Sequence, residues 1–253
     1  MELNQRQQQI LQRLKQVEGI QIDDLAAYFD VTTQTIRRDV NQLCEQGIAR
    51  RIHGGVSLPA LLTNTTYQFR ADVETGIKDK LAKEVANAIP DGSTVIMGIG
   101  TTVTRIAHYL LHKKSLRIIT NNLQVARILE SNKFAEVYIA GGLFRSAHQD
   151  IVGHSVLTFF AGFEADIAIV SCGSITQSHA VMEHETQEAE LSRCILDNAR
   201  QRWLVADTSK WSRFASVKVR KLDGFERIYT NKQELPSELP IHFVDDDIGT
   251  GTS

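Results

Sequence analysis

Residues 31 to 55 read VTTQTIRRDVNQLCEQGIARRIHGG and decide how the amino-terminal part of the chain folds. Ile36, Val40 and Leu43 recur at the spacing of one helix face, so the stretch predicts an amphipathic helix. Thr32 can cap the first turn of this helix, because its hydroxyl can accept a hydrogen bond from a free backbone amide. The basic residues and the glycine pair that follow predict a short two-stranded ribbon with a tight turn.

The opposite face of this helix is polar and carries two adjacent arginines. A helix fits the major groove of DNA, where Arg pairs with guanine and Gln or Asn pairs with adenine. The arginines of the ribbon would then reach phosphates or the minor groove. A solvated amphipathic helix would carry the same residues, because a charge cluster alone is weak evidence. The candidate DNA-contacting residues are Thr33, Gln34, Thr35, Arg37, Arg38, Asn41, Arg50, Arg51 and His53.

Two further helices are predicted before this stretch. Residues 4 to 17 carry apolar side chains at helical spacing, and Asp23 can cap a short helix whose Leu25 and Phe29 face inward. Helix, helix, tight turn, helix and basic ribbon is the order of a winged helix-turn-helix. This order favours DNA binding over a merely solvated helix.

The composition limits what else the chain can be. With 253 residues, we expect a winged helix at residues 1–56, a linker at 57–74 and a larger domain at 75–253. The net charge is −2, and residues 1–56 hold seven basic and seven acidic side chains, so only their local placement supports DNA binding. No apolar run suits a membrane span or a signal peptide, so we expect a cytoplasmic protein. Three isolated cysteines predict reduced, structural thiols.

Helix and strand patterns alternate after the linker, which predicts an α/β domain with a mostly parallel sheet. Small and polar residues follow the strands, where ligands of such sheets bind. Gly100-Thr101-Thr102 stands before a helix whose free amides and dipole would favour an anion, and Arg145 and Lys210 add positive charge. Taken singly, each of these sequence features is also explained by a turn, a helix cap or a surface ion pair. Their recurrence predicts a site for a phosphate and its polyol.

The segments TTQTIRRDVNQL and RRIHGG, at residues 32–43 and 50–55, closely resemble the DeoR family of bacterial transcriptional regulators. The resemblance continues over nearly the whole chain. It implies a winged helix-turn-helix and a sensor domain that is similar to ribose-5-phosphate isomerase and senses phosphorylated sugars. RIHGGVSLP, RIITNNLQVA and AGGLFRS look most like the glycerol-3-phosphate repressor branch. The family usually carries an acidic residue at the position of Gly98.

The resemblance also implies a set of ligand residues and a way of working. An effector would shift a dimer or tetramer between arrangements that bind operator DNA and arrangements that do not, which requires different affinities for the two states. We expect a repressor without cofactor, metal or catalytic residues. The effector-binding residues implied by the match are Gly100, Thr101, Thr102, Asn121, Asn122, Gly141, Gly142, Arg145, Gly153, Asp207 and Lys210.

Two other classes of protein fit parts of the sequence. A sugar-phosphate isomerase with an appended DNA-binding domain could use Asp207 or Glu183 as base and Lys210 to stabilise an enediolate, but no paired acid and base is evident. An interaction protein without effector would also carry these elements. His179, Glu183, His184 and Glu185 could bind a metal, but they lack the HExxH spacing and precede a helix.

Overall fold

A computed structural model of the chain describes residues 3–14, 19–52, 54–58, 67–72 and 74–245. In the amino-terminal part, three helices pack on a small antiparallel sheet of order β1-β3-β2. Their apolar faces meet in one core, in which Ile36, Val40 and Leu43 are fully buried as their spacing predicts. The winged helix-turn-helix is therefore confirmed. Its elements are α1 (Gln5–Leu14), β1 (Ile20–Gln21), α2 (Ile22–Phe29), α3 (Thr33–Glu45), β2 (Arg50–Ile52) and β3 (Gly55–Ser57).

The two predicted helix caps have different outcomes. Thr32 does cap α3, since its hydroxyl oxygen accepts a hydrogen bond from the backbone amide of Thr35 at 3.3 Å. The predicted cap at Asp23 is wrong, because α2 begins earlier and Asp23 lies in its first turn. The earlier start follows from pairing with the ribbon, in which the amide of Ile22 donates to the carbonyl of Gly54 at 3.0 Å.

A short helix, α4 (Tyr67–Asp72), lies within the predicted linker. Its carboxyl end is held by cations of the following helices. Lys78 Nζ donates to the carbonyl of Arg70 at 2.7 Å, and Arg105 donates to the carbonyl of Ala71 at 3.2 Å. The segment that joins the two parts of the chain is thus tied to the carboxyl-terminal part.

The carboxyl-terminal part is built on a seven-stranded sheet of order β15-β14-β12-β9-β4-β5-β6, in which every neighbouring pair is parallel. Apolar side chains on both faces of the sheet pack under helices, which confirms the predicted α/β class. The strands are β4 (Thr94–Met97), β5 (Arg117–Thr120), β6 (Glu136–Ile139), β9 (Ala165–Val170), β12 (Ala199–Val205), β14 (Arg227–Thr230) and β15 (Ile241–Phe243). The helices are α5 (Thr75–Ala88), α6 (Thr101–Tyr109), α7 (Leu123–Leu129), α8 (His154–Ala161), α9 (Thr186–Asp197) and α10 (Ser209–Ser212).

Two small antiparallel sheets, which the alternating pattern does not predict, complete this part. A two-stranded ribbon of β7 and β8 follows β6, and a three-stranded sheet has the order β10-β11-β13. Their strands are short, so their side-chain alternation is too brief to be read. They are β7 (Leu143–Arg145), β8 (Asp150–Val152), β10 (Ser174–Ile175), β11 (Ala180–Glu183) and β13 (Val217–Lys221). Within the described ranges, every helix is too short or too polar to cross a membrane.

Candidate nucleic-acid interface and sensor pocket

The outer face of α3 presents the predicted polar side chains. Gln34, Arg37 and Arg38 are exposed, whereas Thr33 and Thr35 are half-buried. All five lie on one short helix whose inner face is anchored in the core. This leaves a polar helix surface free to enter a groove.

The helix α3 is held at a defined angle by a buried carboxylate. Asp39 accepts hydrogen bonds from Arg6 Nε at 2.5 Å and from the Asn4 amide at 3.2 Å. Asp39 is itself buried, so these bonds from the start of the chain compensate its charge. The contact orients α3 rather than reading bases.

The two arginines of the ribbon point to opposite sides of β2, as side chains alternate along a strand. Arg51 is exposed and donates a hydrogen bond to the side chain of Asn41 on α3, so these two predicted contacts share one surface. The Arg50 guanidinium instead lies over the ring of Phe214, 3.6 Å from its centroid. The phosphate contact of Arg50 therefore stays a prediction, and it would require this guanidinium to leave Phe214. His53 lies outside the described residues.

A polar pocket lies beyond the carboxyl ends of β4 and β9. The chain runs from β4 outward to β5 and β6, and from β9 outward in the other direction to β12 and β14. Ligand crevices of open parallel sheets form at such a reversal of strand order. The residues that line the pocket are Arg70, Lys78, Ile99, Gly100, Thr101, Thr102, Ser171, Cys172, Glu183, Glu188, Lys210 and Arg213.

Gly100 brings the start of α6 against this pocket. Its φ of +125° strains any other residue, and a Cβ there would approach Ser171 Cβ to 3.2 Å. The amides of a first helical turn have no acceptor within the helix, and no side chain caps α6. Gly100, Thr101 and Thr102, which were predicted together, thus present free donors and a helix dipole to the pocket.

Four cationic residues among those that line the pocket surround this helix start: Arg70, Lys78, Lys210 and Arg213. Lys78 and Lys210 are buried. Burial lowers the pKa of Lys78 to about 8, although Asp207 opposes this shift. A bound anion would favour the charged form of these buried lysines.

The carboxyl groups near the pocket differ in how strongly they are shifted by their surroundings. Burial and the neighbouring Glu188 raise the pKa of Glu183 to about 8, so Glu183 is mostly neutral at pH 7. Burial also acts on Asp207, but Lys210 and a hydrogen bond from Ser209 lower its pKa overall. Glu188 is bonded to Arg145 at 2.9 Å.

Several buried polar atoms beside the pocket have no hydrogen-bond partner among the described residues. They are Arg70 Nε, Asp207 Oδ2 and Ser209 Oγ. Buried polar atoms are normally paired, so such atoms indicate a polar ligand or ordered water. Asp207, which the sequence predicts as a site residue, thus lies beside the pocket cations.

The structure does not bring Arg145 to the pocket as a phosphate partner. Its guanidinium contacts three carboxylates, with nitrogen–oxygen distances of 2.6 Å to Asp150, 2.6 Å to Glu185 and 2.9 Å to Glu188. Burial lowers the pKa of Arg145, but the hydrogen bonds that it donates to Asp150 and Glu188 raise this pKa overall. A cation committed to three carboxylates has little charge left for a phosphate, so we revise Arg145 to a positioning residue behind Glu188.

The other predicted ligand residues outside the pocket lining build the β7–β8 ribbon. Asn121 donates to the carbonyl of Ile151 at 2.8 Å, and Asn122 caps α7 and donates to Thr104. A Cβ at Gly142 would lie 2.7 Å from the carbonyl oxygen of Val152, so a larger residue would clash at this position. Gly141 accepts from Ser155, and Gly153 caps α8. These contacts are structural, so an effector role for them stays a prediction.

The predicted effector set includes four of the twelve residues that line the pocket and misses eight, including Arg70, Lys78 and Arg213. Lys78 had a readable signal, because it shares the buried stripe of α5 with Ala82 and Val85. Arg70 and Arg213 reach the pocket from segments distant in sequence, which no local pattern indicates. In the described ranges, no three His, Cys, Asp or Glu side chains are grouped to hold a metal ion.

Comparisons with known proteins agree with both parts of the chain. Residues 6–60 match the DeoR-like helix-turn-helix domain, and residues 74–232 match the DeoR C terminal sensor domain. The chain is 40% identical to the HTH-type transcriptional repressor CsqR of Escherichia coli, over 92% of this chain and 88% of the relative. It is 37% identical to the glycerol-3-phosphate regulon repressor of Escherichia coli, over 91% of this chain and 92% of the relative.

A solved structure of ribose 5-phosphate isomerase A from Methanocaldococcus jannaschii is similar at 14% identity, with a TM-score of 0.39 over 54% of each chain. The relatives that match most of the chain are named as repressors, so the isomerase alternative is not favoured. With sensor and DNA-binding regions both matched, the chain belongs to the DeoR family of transcriptional regulators.

Proposed function

We propose that this protein represses genes of carbohydrate or glycerol metabolism and is controlled by a small phosphorylated metabolite bound in the sensor pocket. We further propose that residues 1–56 bind the operator and that residues 75–253 bind the effector. Residues 57–74 would link these two domains. The protein would act in the cytoplasm as a homo-oligomer, because one winged helix gives only a small interface with DNA. The name of the glycerol-3-phosphate regulon repressor supports this class of effector.

One observation carries the proposal: four cations converge on the uncapped start of α6. A helix start alone would accept any small anion. Lys210 and Lys78 are buried beside it, so the site favours a ligand with more than one negative charge. Neutral Glu183 and the carboxylate of Glu188 add a donor and an acceptor for hydroxyl groups next to the phosphate.

Two contacts offer a route from the pocket to the DNA-binding part. Lys78 lines the pocket and also holds the carboxyl end of α4, the helix that precedes it. Phe214 directly follows the pocket residue Arg213 and packs on Arg50 of the ribbon. A phosphate that attracts Lys78 and Arg213 would disturb both contacts. Coupling requires that the effector bind the arrangement with these contacts and the arrangement without them with different affinities.

The test starts with a thermal-shift panel of sugar phosphates and glycerol phosphates, with free glycerol and inorganic phosphate as separate arms. The ligand that shifts the melting temperature most is then titrated by calorimetry. Lys210→Ala removes a charge-assisted contact of about 1.5–3 kcal/mol, so the affinity should fall about ten- to a hundredfold. Operator binding without the ligand should stay close to that of the unaltered protein.

Lys221→Ala is the matched control, because Lys221 is exposed on β13, and it should leave the affinity unchanged. Unaltered affinity in both Lys210→Ala and Lys78→Ala would place the phosphate elsewhere. A panel in which no phosphorylated compound binds would overturn the effector class. Loss of operator binding by Lys210→Ala would instead assign this lysine to the fold.

A further inference from the structure

Exposed apolar side chains concentrate at one edge of the seven-stranded sheet. Of eight large hydrophobic residues exposed in the described ranges, five lie between positions 134 and 144, in the turn before β6, on β6 and on the ribbon that follows it. These five residues are called the β6 surface. They are Phe134, Tyr138, Ile139, Leu143 and Phe144, with exposed fractions of 64, 39, 47, 67 and 46%.

The backbone of β6 also offers hydrogen-bonding groups at this edge. The amides of Glu136 and Ala140 donate inward, to the carbonyls of Leu116 and Thr120. Because amides alternate in direction along a strand, those of Val137 and Ile139 point outward. β6 is the last strand in the sheet order, and among the described residues no further strand pairs with its outer side.

The surface is rigid enough to serve as an interface. The Tyr138 ring packs edge-on against Phe163 with 5.6 Å between centroids, and Phe163 packs on Phe159 of α8. Binding would therefore immobilise few side chains that are now mobile, which limits the entropic cost. An open, apolar strand edge is otherwise a liability that folded proteins cover or charge.

We propose that the β6 surface binds the same surface of a second copy, with the two β6 strands antiparallel about a two-fold axis. A two-fold contact uses one patch twice, and this patch provides both main-chain groups and apolar side chains. The charges near the strand, Arg117 and Glu136, stand at its amino end and pair with each other at 3.2 Å. Antiparallel pairing separates the two copies of this ion pair, whereas parallel pairing would juxtapose like charges.

The area fits a stable dimer. A large side chain covers about 150–250 Å², so five that are about half exposed offer about 500 Å² per copy. Two copies then bury about 1,000 Å² before any main-chain contribution, which is the size that separates specific interfaces from accidental ones. The choice of a second copy rests on the proposed function in one respect: a helix-turn-helix repressor reads two half-sites with two copies.

The test measures the mass of the full chain by light scattering after gel filtration, at about 10 μM. The unaltered protein should be a dimer or a larger even oligomer. Ile139→Lys and Leu143→Lys place charges in the interface, so each should at least halve the mass and leave the far-ultraviolet circular dichroism spectrum unchanged. Phe243→Lys is the matched control, because Phe243 is 48% exposed on the opposite edge strand, β15, and it should keep the mass.

Amide hydrogen exchange on the unaltered protein gives an answer that does not depend on the folding of any variant. The amides of Val137 and Ile139 should become protected as the concentration is raised through association. A monomeric protein, an unchanged mass in both lysine variants, dissociation by Phe243→Lys, or exchange at β6 that is independent of concentration would each overturn the proposal. None of these results would alter effector binding by Lys210, so the two proposals fail separately.

Discussion

The guanidinium of Arg50 lies over the ring of Phe214, 3.6 Å from its centroid, and joins the ribbon of the DNA-binding part to the segment after α10. Partial burial lowers the pKa of Arg50 from its usual value. Lys210 and Arg213, just before Phe214, line the sensor pocket. The contact thus lies between the two functional surfaces.

We expect Phe214→Ala to weaken the communication between effector and operator. A cation–π contact contributes about 0.5–1 kcal/mol at a partly exposed site, so the ratio of operator affinities with and without effector should shrink about two- to fivefold. Gel shifts at saturating effector measure this ratio. Phe214→Tyr keeps the ring and should keep the ratio. An equal ratio in the alanine variant would show that this contact transmits nothing.

The exposed arginine Arg37 on α3 should read a base. We expect Arg37→Ala to weaken binding to the selected site by about 1–3 kcal/mol and to relax the preference at one position. The site can be obtained by selection from random DNA, and affinities by titration. Arg200→Ala, an exposed arginine of the sensor, serves as control. Alanine substitutions at Gln34, Arg37 and Arg38 are made one at a time. If each leaves the DNA affinity and the base preference unchanged, α3 is not the recognition helix.

The two ribbon arginines should differ in their salt dependence. Arg51 is exposed beside α3, so Arg51→Ala should reduce the slope of log affinity against log salt by about 0.9, the value for one phosphate contact. Arg50→Ala should leave the slope nearly unchanged, because its guanidinium is stacked on Phe214. Each variant is the control for the other. Equal loss of slope in both would show that Arg50 leaves Phe214 when DNA binds.

The carboxyl of Glu183 predicts a dependence of stability on pH. Burial raises its pKa from 4.5 to about 8, so the folded protein keeps a proton that the unfolded chain releases. The contribution of this proton to the stability of the folded protein is fully present below pH 4.5. It is lost as the pH rises through 8. Between pH 7 and 8, the melting temperature should therefore fall more in the unaltered protein than in Glu183→Gln, which stays neutral.

A parallel fall in both proteins would mean that Glu183 is ionised at neutral pH. Titration of Lys78 would not produce the same fall in melting temperature. Its pKa is lowered to about 8, so its contribution to stability changes mainly above that pH. Effector affinity gives a second readout. It should decrease between pH 7 and 9, because Glu183 gains a negative charge and Lys78 loses its positive one, while a phosphate monoester stays a dianion.

The winged helix-turn-helix can be predicted from the amino-acid sequence, because the evidence for it is local. The stripe of Ile36, Val40 and Leu43 and the cap at Thr32 depend on residues within one turn or two of each other, and helix periodicity makes them readable. The parallel sheet was readable for a similar reason, since apolar strands alternate with helices. The start of α6 at Gly100 followed from the same local rules.

Which charged side chains contact each other depends on the folded arrangement of the chain. Arg145 looked like a phosphate ligand in the sequence, yet folding surrounds it with Asp150, Glu185 and Glu188, two of them about 40 residues away along the chain. Arg70 lines the pocket although it belongs to α4, outside the sheet. The Arg50 guanidinium lies over the ring of Phe214. Charge interactions act through space over several ångströms without any sequence period, so the partners of a charged residue are known only once the chain is folded.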